Sequence, residues 1–152
     1  MSEPVESTMH PSERINCMSL VLCDTVIEDT RSKNRSLINM FNTVFAHQMP
    51  FILPHMAIMA SVTNIRAKTM MTVSIKDPEL RILFEATGEL FSSDPTQIVD
   101  LVVELRNLRL ETFGTHFVDV SAHGLVVNGR RFEVVHSPMP PDPREWKPPE
   151  VA

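Results

Sequence analysis

The sequence predicts an all-β protein: an antiparallel sandwich of seven to eight strands, immunoglobulin-like or C2-like. Three observations carry that expectation. Apolar residues recur with a period of two, most plainly in Met71, Val73 and Ile75 and again in Ile82, Phe84, Ala86 and Leu90. Turn-forming groups such as Asp77-Pro78, Ser92-Ser93-Asp94-Pro95 and Asn128-Gly129 break the chain at short intervals. No stretch reads more naturally as a helix than as a strand.

Residues 1–15 are polar, with Ser, Glu, Pro and His, and read as a disordered arm ahead of the domain. A hairpin with two long arms follows, over residues 18–28 and 35–44. Its first arm is apolar on both pleat faces, with Leu20, Leu22 and Val26 on one and Val21, Cys23 and Ile27 on the other. A strand apolar on both sides belongs inside the fold. Residues 45–54 carry Pro50 and Pro54 and read as a loop with buried Phe and Ile. A mostly apolar strand is expected over 55–63, then half-buried strands over 69–76 and 82–90. The second of these places Ile82, Phe84, Ala86, Gly88 and Leu90 inward and leaves Leu83, Glu85, Thr87 and Glu89 wet.

Residues 95–108 are the ambiguous segment. Asp94 could cap a helix with Pro95 in its first position. The β-branched residues and flanking strands favour a strand, with Val99, Leu101, Val103 and Leu105 on one face. A strand over 114–122 aligns His116, Val118 and Val120. Either His123-Gly124 or Asn128-Gly129 makes the last tight turn, and Asn-Gly is the stronger signal. Residues 137–152 hold six prolines, which cannot donate to a ladder, so this is a disordered, polyproline-prone tail outside a domain of residues 16–136.

Composition narrows the functional classes. The 152 residues suit one domain with one core, and 43% hydrophobic with 22% charged residues is an ordinary globular balance. A net charge of -5 argues against a nucleic-acid partner, which requires a basic face. No apolar run approaches the roughly 20 residues that span a bilayer, and the N-terminus lacks a secretory core, so neither a membrane nor export is expected. Cys17 and Cys23 share one extended strand. At about 3.3 Å per residue they stand roughly 20 Å apart, too far for a disulfide, and read as reduced thiols of a cytoplasmic protein.

Candidate chemistry is thin. Asp24 lies in the most apolar strand. A carboxylate there must be hydrogen-bonded or paired, with Arg35 across the hairpin as the natural partner, so both are assigned structural polar roles. Asp29, Asp77 and Asp94 lie in turns, without the dense spacing of a calcium loop. The histidines never fall at zinc-ligand spacing. No Gly-x-Ser-x-Gly occurs, and four glycines leave little material for a phosphate cradle. No catalytic residue, cofactor or metal is therefore assigned. Arg66 with Lys68, and Arg130 with Arg131, read as solvated turn tips. The tail carries Trp146 between Arg144 and Lys147, an aromatic that its proline-rich surroundings cannot bury, and these three are the candidate partner-binding residues.

The runs Leu20–Asp29 and Ser36–Ala46, the Met49-Pro50-Phe51 loop, Gly114 and Asn128-Gly129 resemble a family of small bacterial β-sandwich proteins that open with a Cys-Asp hairpin. The resemblance covers residues 17–136. It implies a sandwich and carries over no activity or binding position. The expected function is a non-enzymatic interaction module of a bacterial cytoplasm, with a protein partner and possible homo-oligomerisation. The alternatives are a Ca²⁺- or membrane-responsive sandwich, or a hydrolase with an unconventional site.

Overall fold

A computed structural model describes residues 14–138. Among them the chain makes nine strands and no helix: β1 Asn16–Glu28, β2 Arg35–Met40, β3 Thr43–Ala46, β4 Phe51–Thr63, β5 Thr69–Lys76, β6 Ile82–Leu90, β7 Val99–Leu110, β8 Gly114–Ala122 and β9 Leu125–His136. They form two sheets, ordered β2-β1-β4-β7 and β3-β9-β8-β5-β6. All pairings are antiparallel except β3 with β9. The inner faces meet in one core, where Leu22, Met56, Ile58, Met71, Ile75, Leu110 and Phe132 are each buried to within about 1% of completeness. Burying each such side chain stabilises the fold by about 1.5–3 kcal/mol, which sets the register of every interior strand.

The count exceeds the expected seven to eight because the second hairpin arm is two strands. Asn39 adopts a left-handed φ of 58° at the end of β2. Phe41 then turns into the core and meets Phe132 edge to face at 6.3 Å. Its amide still donates to Leu22 O (3.0 Å), while Asn42 O already accepts from Glu133 N (2.9 Å) in the other sheet. The chain crosses between sheets over these two residues.

Pro54 lies inside β4, where sequence reasoning placed a loop. β1 pairs with β4 only from Ala57 onward, so Pro54 faces a free edge where no amide is needed. On its other side the ladder skips from Leu53↔Leu108 to His55↔Arg106, and Asn107 opposite takes a left-handed φ of 57°. The ambiguous segment is strand β7. Ile82, expected inside, is 57% exposed, because a bulge between Ile75 and Lys76 shifts the start of β6 out of phase.

The last turn is His123-Gly124, not Asn128-Gly129. Ala122 faces Leu125, and both loop residues have the positive φ that a two-residue turn of the primed type demands, 49° and 83°. Asn128 and Gly129 lie within β9, and each has a packing role. Asn128 Nδ2 donates to Cys17 O in the facing sheet (3.1 Å). A Cβ at Gly129 would stand 3.0 Å from Asp119 Oδ1. Arg130 is likewise no turn tip: it reaches across the sandwich, Nη1 to Leu20 O at 2.8 Å and Nη2 to Asn42 Oδ1 at 2.5 Å.

Gly114 opens β8 with φ 119°, and a Cβ there would stand 3.2 Å from Pro78 Cγ. Gly114→Ala is therefore expected to destabilise the domain by about 1–3 kcal/mol. Urea unfolding of the two proteins measures this; equal midpoints would show that the β7–β8 turn relaxes freely.

Candidate functional site

The titratable side chains of the described residues are largely engaged in holding the fold. Asp29 accepts from the amides of Ser32 (3.0 Å) and Arg31 (2.8 Å), which hold its carboxyl below the ordinary range. Asp94 is lowered in the same way by the Thr96 amide and hydroxyl. Asp77 closes its turn on the amides of Glu79 and Arg81, both at 2.9 Å. His116 is fully buried, as expected of a core imidazole. Its Nδ1 lies 3.1 Å from Gly114 O, which can only accept, so Nδ1 carries the hydrogen. The ring stacks on Phe132 at 5.2 Å. Among the described residues no group of three or more His, Cys, Asp or Glu side chains could hold a metal ion.

Asp24 and Arg35 do not pair with each other. Asp24 Oδ2 accepts from Asn39 Nδ2 (2.5 Å), directly across the hairpin. Arg35 Nη1 instead donates to Asp100 Oδ2 (2.8 Å), and Asp100 Oδ1 accepts from Ser61 (2.8 Å). This bond decides where the hairpin lies. β2 and β7 are opposite edges of their sheet, about 14 Å apart at the usual strand spacing. An arginine can bridge them only if the hairpin's far end folds back over the outer face. The fold-back also accounts for Cys23 and Ala57, which are fully buried yet absent from the core between the sheets. Sequence reasoning expected cover on both faces of β1; part of the outer cover is the hairpin itself, whose Ile27, Ile38 and Met40 stay exposed.

The opposite flank is open. β6 and β7 are the edges of their sheets on the same side of the sandwich. Val99, Leu101 and Val103 of β7 point inward but are only half-buried, whereas Ile58 and Val73 on interior strands are sealed. A cleft of about 180 Å³ lies between Met71, Val73, Ala86, Gly88, Leu101 and Val103. Ala86 and Gly88 cause it: where β6 should present bulk it presents a methyl and a hydrogen, and nothing lies within 4 Å of where a Gly88 Cβ would be. The sequence carried that signal, two small residues mid-strand on an inward face, but sequence reasoning did not read it as an opening. Trp146, Arg144 and Lys147 lie outside the described residues.

This topology defines the class. Strands β4 and β7 in one sheet, and β5, β8 and β9 in the other, follow the B, E and C, F, G order of an immunoglobulin-like β-sandwich. The chain belongs to the family of unknown function DUF6941, whose match spans residues 18–135. No curated protein matches it. It is similar in fold to the Pseudomonas fluorescens alkylpurine DNA glycosylase AlkC, solved with DNA containing an abasic-site analogue, at 13% identity and TM-score 0.46, over 79% of this chain and 30% of that one. It is also similar to an immunoglobulin-like protein of Pseudomonas aeruginosa, at 11% identity and TM-score 0.43, over 83% of this chain and all of the other (100%). The chain thus spans less than a third of the glycosylase's length. No helix of the described residues is long and apolar enough to cross a membrane.

Two outcomes follow for the thiols. In a Cys17→Ala background, Arg35→Ala should unpin the hairpin and speed labelling of Cys23 by an aromatic disulfide roughly tenfold, at a cost of about 0.5–1 kcal/mol in stability. Unchanged labelling would show that the ion pair does not hold the arm down. Burial pushes both thiols above the ordinary 9.0. The native state then favours the neutral form, so stability is full below 9.0 and falls as pH rises from there toward the native-state value. Urea midpoints from neutral to alkaline pH should show this decline, and the Cys17→Ala/Cys23→Ala double variant should flatten it.

Proposed function

We propose that this domain is a non-enzymatic interaction module of a bacterial cytoplasm that takes an extended partner segment along its open β6–β7 rim. The observation that carries the reading is the rim itself: two strand edges, without outer ladder partners among the described residues, flanking an apolar cleft of about 180 Å³. An added strand gains main-chain hydrogen bonds from the edge, and one of its apolar side chains can enter the gap left by Ala86 and Gly88. The cytoplasmic assignment rests on two free, buried thiols. Net negative charge suits a protein partner better than nucleic acid. In the tail sequence, Trp146 with Arg144 and Lys147 offers a second point of contact.

Screening the full chain against arrayed extended peptides should return binders bearing a large apolar side chain. Ala86→Arg, which fills the cleft, should weaken them roughly tenfold or more, with the melting temperature nearly unchanged. Removal of residues 137–152 should weaken any protein partner that also uses the tail. An array without binders, or binders indifferent to Ala86→Arg, would overturn the rim as the site.

A further inference from the structure

We infer that the segment paired with β7 is β7 of a second copy, in a two-fold antiparallel ladder centred on Val103. This names the occupant of one edge of the rim and rests on the reading of that rim as a binding surface.

The edge suits strand addition. β7 runs twelve residues without proline, and on its outer side it has no ladder partner among the described residues. Edges of this length are usually blunted by bulges, proline or charged side chains. β7 has charges of both signs, Asp100, Glu104, Arg106 and Arg109, which limit the registers it can pair in rather than forbid pairing. Here the regular run ends only at Asn107, where φ turns to 57°.

Its own sequence selects the register. In a two-fold antiparallel pair, residues equally spaced about the centre face each other on the same side of the sheet. Centring on Val102 sets Asp100 against Glu104, and centring on Glu104 sets that carboxylate against itself; like charges directly opposite are destabilising. Centring on Leu101 runs off the start of the strand, and centring on Leu105 carries the ladder through left-handed Asn107. Centring on Val103 leaves residues 100–106 regular on both copies. It sets Asp100 against Arg106 on each side of the axis, and Leu101 against Leu105.

The side chains are in place for it. Arg106 is exposed, with no hydrogen bond or ion pair among the described residues. Asp100 keeps 30% of its side chain exposed beside Arg35. Half-buried Leu101 and Val103 gain cover from their counterparts, and the four-stranded sheet becomes continuous across the axis.

Sedimentation equilibrium of the full chain should show a monomer–dimer equilibrium. Arg106→Glu sets a second carboxylate opposite each Asp100 and should raise the dissociation constant roughly tenfold or more, with the monomer's melting temperature unchanged. Val103→Cys should cross-link on mild oxidation, since directly opposed residues lie about 4.5–5.5 Å apart, within disulfide range. Val99→Cys faces Asn107 and stands roughly 27 Å from its own copy, so it should not cross-link. A monomer at all concentrations, equal cross-linking at 103 and 99, or a dimer indifferent to Arg106→Glu would overturn the ladder. Peptide binding sensitive to Ala86→Arg in a strictly monomeric protein would sink the dimer and leave the rim standing; loss of both would sink the rim as well.

Discussion

The inner faces of two sheets must stay in contact, and most of the described structure serves that constraint. Side chains of β4, β5 and β8 are sealed between the layers, and Phe132 of β9 closes over them. A strand that slipped by one residue would move its whole apolar set into water. The irregularities are therefore confined to places where the ladder can absorb them: the bulge between Cys17 and Ser19, the one between Ile75 and Lys76, and the one between Val120 and Ser121. The first lets Cys17 and Leu20 face the same core although their spacing is odd.

The two flanks of the sandwich are finished differently. On the side where β1 faces β9, three ties cross between the sheets: Arg130 to Leu20 O, Asn128 to Cys17 O, and Phe41 against Phe132. The polar ties end on backbone carbonyls of the facing sheet, which fixes the offset of the two layers as well as their distance. The β6–β7 side has no comparable tie among the described residues, and around the cleft the residues that face inward are small or half-buried. One flank is thus tied across the core and the other is left open.

The Arg35–Asp100 bond adds a third layer on the outside. It commits an arginine from one end of the sheet order to a carboxylate at the other, and in doing so lays a two-stranded arm over surface that would otherwise face water. The same carboxylate stands at the boundary of the proposed β7 ladder, so the arm and the edge share one anchoring residue.

Strand periodicity by itself determined the fold class, most strand positions, the turn roles of Asp29, Asp77 and Asp94, and the burial of His116, because each depends on local pattern or on a side chain bonding within its own loop. Asp24 bonded across its own hairpin, as proximity in sequence suggests, but to Asn39. Tertiary structure decided the rest. Arg35 found Asp100, Arg130 crossed to Leu20, Pro54 was admitted to a strand, and His123-Gly124 took the turn that Asn128-Gly129 advertised. Each depends on which strand lies alongside or across the core, and that is set by the packing of distant faces, which no local pattern encodes. The cleft between β6 and β7 belongs to the same class: Ala86 and Gly88 are visible as small residues, but only the placing of two sheet edges side by side turns missing volume into a site.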